Sequence, residues 1–143
     1  MHRFAGFVHP TRGVRFSPYA YIEKESDIVL HANEIEPAFA SSKPRTWGAF
    51  DGSGDPIVMT FRSYLSRFVA FSRLARLAPR INGSVAAGNT TNNQREIYAN
   101  APFVEFYAPY EGANLNWEAL RIVFEAVNGK LYVVGIVHDV WTI

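Results

Sequence analysis

The 143-residue chain is 48% apolar and 19% charged with a formal net charge of +1, which is the material of one folded domain and favours no class of charged partner. It has no cysteine, so disulfides, thiol catalysis and thiolate metal sites are excluded. Aromatic residues reach 15%, enough to fill a core and still line a pocket or an interface.

Residues 2–9 end at Pro10 and are at most the last turn of a helix. "GVRFSPYAYI" (13–22) alternates Val14 and Phe16 with Arg15 and Ser17, which predicts a strand broken at Ser-Pro. Residues 26–40 fit a strand followed by a short helical turn. "RTWGAFDGSGDPIVMTF" predicts a hairpin, with "DGSGD" supplying the turn.

Thr60 then caps the clearest helix, in which Phe61, Tyr64, Leu65, Phe68, Phe71 and Ala75 share one face; either Pro79 stops the run or it ends nearer residue 70. Residues 82–95 are a polar loop with room for a short strand, and 102–109 is strand-like. "NLNWEALRIVFEAV" and "KLYVVGIVHDVWTI" are long strands joined at Asn128-Gly129, the strongest short hairpin signal. Strands, one good helix and a closing run of long antiparallel strands predict a single α+β domain over 1–143. Its helices pack on one face of a curved antiparallel sheet.

A two-residue turn at Asn128-Gly129 sets Phe124 opposite Val133, Leu120 opposite Val137 and Ala119 opposite His138. With strict alternation, Asp139 and Trp141 then join the apolar row of Leu120, Phe124, Val133 and Val137. His138 joins a mixed face with Trp117, Arg121, Tyr132 and Ile136. His138 and Asp139 are therefore expected on opposite faces, unless a bulge intervenes. A carboxylate on an apolar face must be paired or reach the rim. Asp139 is thus the best candidate for a catalytic acid or base, and its alternative is a bond to a backbone N–H or an arginine. Arg15, Tyr19 and Tyr21, with Tyr64, Asp139 and Trp141, make up the predicted ligand pocket; otherwise Arg15 serves a structural carboxylate and the tyrosines are core. The mixed face (Trp117, Arg121, Tyr132, Ile136, His138) is a candidate homodimer interface.

Six arginines and no acidic residue occupy 56–95, and on one continuous helix Arg62, Arg73, Arg76 and Arg80 would form a stripe. The low net charge and the lack of a recognised motif argue against a nucleic-acid partner. The four histidines have no metal-ligand spacing and no glycine-rich phosphate loop is present, so no metal or cofactor is expected. No apolar run approaches the roughly 18 residues of a membrane span.

The segments "VHPTRGVRFSPYAYI", "TWGAFDGSGDPIVMTF", "GNTTNN" and "LRIVFEAVNGKLYVVGIVHDVWTI" resemble an uncharacterised family of bacterial exported proteins and lipoproteins. The resemblance covers most of residues 7–71 and 88–143 and carries no catalytic residue with it. It implies an exported or periplasmic single domain whose signal is not part of this sequence. It also implies a layout similar to the NTF2-like superfamily, in which N-terminal helices and a strongly curved sheet form a cone with a pocket. The resulting expectation is a non-catalytic cell-envelope module that binds a small molecule or protein through an aromatic-lined pocket behind Asp139 and Trp141. The alternatives are an isomerase- or dehydratase-type acid–base enzyme using Asp139, and a homodimeric association domain.

Overall fold

The computed structural model describes residues 1–84, 91–109 and 117–141. Residues 85–90 of the expected 82–95 loop, the lead-in to the penultimate strand at 110–116 and the last two residues of "VWTI" lie outside the described residues.

Asn128 and Gly129 turn with φ of 51° and 77°. Two left-handed residues in succession are what a tight hairpin needs. They join the two longest strands, whose register sets the rest of the sheet. In chain order the elements are α1 (His2–Ala5), β1 (Val14–Ser17), β2 (Ile28–Leu30), α2 (Ala32–Ala40), β3 (Arg45–Ala49) and β4 (Pro56–Met59). They continue with α3 (Phe61–Tyr64), a π-helical turn (Leu65–Val69), α4 (Phe71–Leu74), β5 (Arg80–Ile81), α5 (Gln94–Ile97), β6 (Phe103–Ala108), β7 (Glu118–Val127) and β8 (Lys130–Val140). The fold is α+β, with a curved, unclosed sheet in the order β2-β1-β8-β7-β6-β5 and a separate β3-β4 hairpin. Among the described residues every strand pairing is antiparallel except β1 against β8, which runs parallel, as does the isolated bridge between Val8 and Val133. No helix of the described residues is long and apolar enough to cross a membrane.

The chain enters β1 through Gly13, at φ +69°, where an added Cβ would lie 2.8 Å from the Leu30 carbonyl oxygen. Glycine is needed there both for the dihedral and for the close approach of β2. At α2, the Glu34 carboxylate reaches back to accept from the His31 N–H at 2.8 Å. This satisfies a donor that the first turn leaves open.

Thr60 caps α3 as expected, accepting from the Ser63 N–H at 3.2 Å. Of the two expected ends, the helical run takes the nearer one, at residue 70, and does not continue to Pro79. The chain widens into the π turn over Leu65–Val69, and Ala70 then turns left-handed at φ 41°. The break leaves the apolar spacing useful but divides its targets. Phe61, Tyr64 and Phe68 enter the core, whereas Leu65, Val69 and Phe71 turn toward the sheet. It also dissolves the expected arginine stripe. Arg62 bonds the Phe39 carbonyl and stacks on the Phe39 ring, Arg67 lies over Phe50 and Phe68, and Arg73 pairs with Glu118.

The main core lies on the helix-bearing face. Trp47 stacks on Tyr64 (4.2 Å between centroids) and Phe61 (5.4 Å), and Phe16 meets Phe61 edge-on at 5.2 Å. The Trp47 indole N–H finds the Met59 carbonyl at 2.9 Å, so this large side chain is buried with its donor satisfied. A smaller cluster of Ile22, Tyr98, Val123, Val134 and Val137 covers the other face. Asn93 ties the 22 loop over it, accepting from the Ile22 N–H at 2.7 Å and donating to the Ile22 carbonyl at 3.0 Å.

The β7–β8 register departs from the expected one in the middle. Phe124 faces Val133 as the turn dictates, but Val123 faces Gly135, so Val134 is an extra residue on β8. Beyond this bulge every β8 side chain is displaced by one. Leu120 faces His138 and Ala119 faces Asp139. The assignment of Asp139 and Val137 to the Leu120 face, and of His138 and Ile136 to the Arg121 face, is thereby reversed. Ile136 takes the core place expected for Val137.

The bulge has a visible support. The Tyr98 hydroxyl donates to the Val134 carbonyl at 3.2 Å, and Val133 exchanges bonds with the 7–9 segment through Phe7 O (2.7 Å) and His9 N (3.0 Å). Backbone groups that a regular ladder would satisfy thus find partners elsewhere.

Candidate functional site

The sheet face that carries Leu120, Ile122, Phe124, Val133 and Ile136 does not pack solidly against the elements above it. Between that face, the first seven residues and the π turn lies a cavity of about 400 Å³. Its twelve lining residues are all apolar and five are phenylalanines: Phe4, Phe7, Phe16, Phe71 and Phe124, with Met1, Leu65, Val69, Leu120, Ile122, Val133 and Ile136. Their local structure explains the hollow. Met1, Phe4 and Phe7 recur at three-residue spacing along α1 and its exit. The left-handed Ala70 redirects the chain so that Phe71 meets Phe106 edge-on at 6.1 Å instead of continuing down a helix.

None of the six residues expected to form a pocket (Arg15, Tyr19, Tyr21, Tyr64, Asp139, Trp141) lines this cavity. Arg15 donates to the backbone carbonyls of Lys24 and Asp27 at 3.0 and 3.2 Å. Tyr64 is buried in the aromatic stack, where burial pushes its hydroxyl well above the ordinary tyrosine range. Tyr19 packs edge-on to Phe68 at 6.2 Å, Tyr21 is exposed, and Trp141 sits half-buried at the end of β8. The cavity lies on the face of the sheet opposite to the one that carries Asp139.

Asp139 is committed to a charge cluster. Arg121, 1% exposed, donates to Asp139 Oδ2 at 2.8 Å and to Glu105 Oε2 at 2.8 Å. It also approaches Ser84 Oγ at 3.2 Å, which itself bonds Glu105 at 2.7 Å. Burial raises the Asp139 carboxyl above its usual value, and the Arg121 charge partly offsets this. Of the two readings of Asp139, the structure contains the one in which an arginine holds it.

His138 points the other way. Its ring meets Phe68 edge-on at 5.6 Å, and its two nitrogens face the Pro18 carbonyl oxygen (2.9 Å) and Glu118 Oε1 (3.1 Å). Both partners are acceptors in a buried site. Burial pushes the Glu118 carboxyl up, but His138 and Arg73 outweigh it and hold it below the ordinary range. The separation of His138 from Asp139 therefore holds, even though a bulge is present. It lies upstream at Val134 and moves both residues together.

The five residues of the expected interface do not share a face. Arg121 is sealed under the smaller cluster side, Ile136 and His138 belong to the helix-bearing side, and Trp117 is buried beside Tyr107. Tyr132 lies next to His9 and under Lys130. Among the described residues no group of three or more His, Asp or Glu side chains is placed to hold a metal ion.

Sequence reasoning missed Glu105, Glu118 and the N-terminal phenylalanines. The three-residue spacing of Met1, Phe4 and Phe7 was the available signal. Glu105 was hidden because the strand alternation alone gives no sign that both of its neighbours across the sheet are charged. Comparisons with protein-family models, with curated proteins and with solved structures find no match to this chain.

Proposed function

We propose that this domain is a binding module that takes an apolar small molecule into the cavity between α1, the π turn and the sheet. The observation that carries the reading is the all-apolar lining of a hollow of about 400 Å³. That volume falls within the roughly 300–1,000 Å³ of small-molecule sites. Walls with no partner atoms forgo dispersion contacts, and a hydrocarbon or aromatic guest restores them. Each methylene moved from water into such a site contributes roughly 0.8 kcal/mol.

A hollow between helices and a curved sheet also suits the NTF2-like layout, which we adopt as the working fold kinship. The resemblance to exported proteins and lipoproteins supports a place in the cell envelope. Acid–base catalysis through Asp139 has less support, because its carboxylate is bound to Arg121 away from the cavity. The homodimer reading loses its motive with the shared face.

Fluorescence titration with aminoanthracene, an environment-sensitive apolar dye, tests the proposal against the Ile122→Trp variant, whose indole would occupy the cavity. Saturable one-to-one binding by the wild type and at least about tenfold weaker binding by the variant are expected. A wild type that binds no dye, or a folded variant that binds it equally well, would overturn the proposal.

A further inference from the structure

We infer that the guest of this cavity is a single-chain amphiphile with an anionic head group, its chain inside and its head at the mouth; this rests on the cavity being a ligand site. The inside and the mouth differ sharply. Phe16 and Leu120 are fully buried at the deep wall, whereas Met1, Phe7 and Phe71 are 42%, 55% and 51% exposed. No lining side chain can donate a hydrogen bond, and none offers an acceptor better than a methionine thioether. A polar group carried into the cavity would lose its water without gaining a partner there. The enclosed part of the guest is therefore hydrocarbon. The end at the mouth meets solvent, so a charged head keeps its hydration.

The sign of the head follows from the segments that form the mouth. Residues 1–7 and 65–76 contain Arg3, Arg67, Arg73 and Arg76 and no Asp or Glu. Arg73 is paired with Glu118 and Arg67 is stacked on Phe50 and Phe68, which leaves the exposed Arg3 and Arg76. Glu36, a carboxylate contributed near α1 by α2, is within 3.3 Å of His2. A carboxylate or phosphate head gains from this surplus, and a quaternary ammonium head is repelled by it.

Calorimetric titration with dodecanoate and dodecyltrimethylammonium below their micellar concentrations, and with dodecanol below its solubility limit, tests the inference. Dodecanoate is expected to bind about tenfold more tightly than the ammonium amphiphile at low salt, and the gap should narrow as salt is added. The exposed double reversal Arg3→Glu with Arg76→Glu should weaken dodecanoate by about fivefold, and more than it weakens dodecanol. Equal binding of the two charged amphiphiles, or dodecanoate binding untouched by the double reversal, overturns the anionic head. The apolar cavity would survive that result if Ile122→Trp still blocks both ligands. If none of the three chains binds, the cavity reading fails and the inference with it.

Discussion

Arg121 Nη2 and Asp139 Oδ2 meet at 2.8 Å across β7 and β8, and they do so because Val134 is one residue too many for a regular ladder. Without the bulge, Asp139 would fall on the cavity face, an uncompensated carboxylate among phenylalanines. With it, the charge crosses to the opposite side of the sheet and the cavity face stays apolar. One backbone irregularity thus separates this buried charge cluster from the apolar hollow.

Removing the arginine from this cluster should be far more damaging than removing either acid. Arg121→Met leaves Glu105 and Asp139 buried without their shared cation, and a loss of about 3–5 kcal/mol is expected. Asp139→Asn should be milder, because Glu105 still pairs with Arg121 and the amide oxygen can still accept. Urea unfolding of the two variants gives the comparison, and equal losses would show that the cluster is not organised around Arg121.

Asp27 should set a slope in the pH dependence of stability. Burial raises its carboxyl from 3.8 to about 6, against the opposing effects of bonds from the Ser17 hydroxyl and the Glu23 N–H and of the Arg15 charge. The folded chain holds this proton more tightly than the unfolded chain does. The stability linked to Asp27 is therefore complete below 3.8 and is lost as pH rises through about 6. Glu118, held below its ordinary range, acts in the opposite sense, and its contribution disappears on acidification. Unfolding midpoints measured across this interval should fall less steeply with rising pH in Asp27→Asn than in the wild type. An unchanged slope would remove Asp27 from the account.

Gly135 and Tyr98 should behave as a unit. A Cβ at Gly135 would lie 2.9 Å from the Tyr98 hydroxyl oxygen and 3.0 Å from the ring carbon that bears it. Gly135→Ala must displace the ring and loosen its bond to the Val134 carbonyl, with an expected loss of about 1–3 kcal/mol. Tyr98→Phe, which keeps the ring but not the hydroxyl, should cost about 1 kcal/mol. Thermal unfolding of the single and double variants checks this, and full additivity would mean that the two residues do not support the bulge together.

Much of this architecture was legible in the sequence. Asn128-Gly129, the "DGSGD" turn and the Thr60 cap each carry local chemistry, and each acts where it stands. The α+β class and the antiparallel character of most of the sheet follow from those signals with the apolar spacing. The features that did not follow include ones set by contacts distant in sequence. The Val134 bulge depends on Tyr98 and on the 7–9 segment bonding to Val133, which no pattern within β8 announces. An end of the helix near residue 70 was one of the two that the spacing allowed, but the π turn and the left-handed Ala70 that make it were not announced. Because the face of every residue after Gly135 depends on the bulge, one undetected residue moved Asp139 from pocket to ion cluster. It also moved Ile136 from interface to cavity wall. The parallel pairing of β1 with β8 was equally hidden, since the partners stand at opposite ends of the chain.

The most direct test of the cavity as the ligand site is a methyl NMR titration with aminoanthracene. Ring-current shifts are expected at Val69, Leu120, Val133 and Ile136, which line the cavity, and not at Val123 and Val137, which pack on the other side of the sheet. Shifts confined to Val123 and Val137, or no shifts at saturating dye, would contradict it.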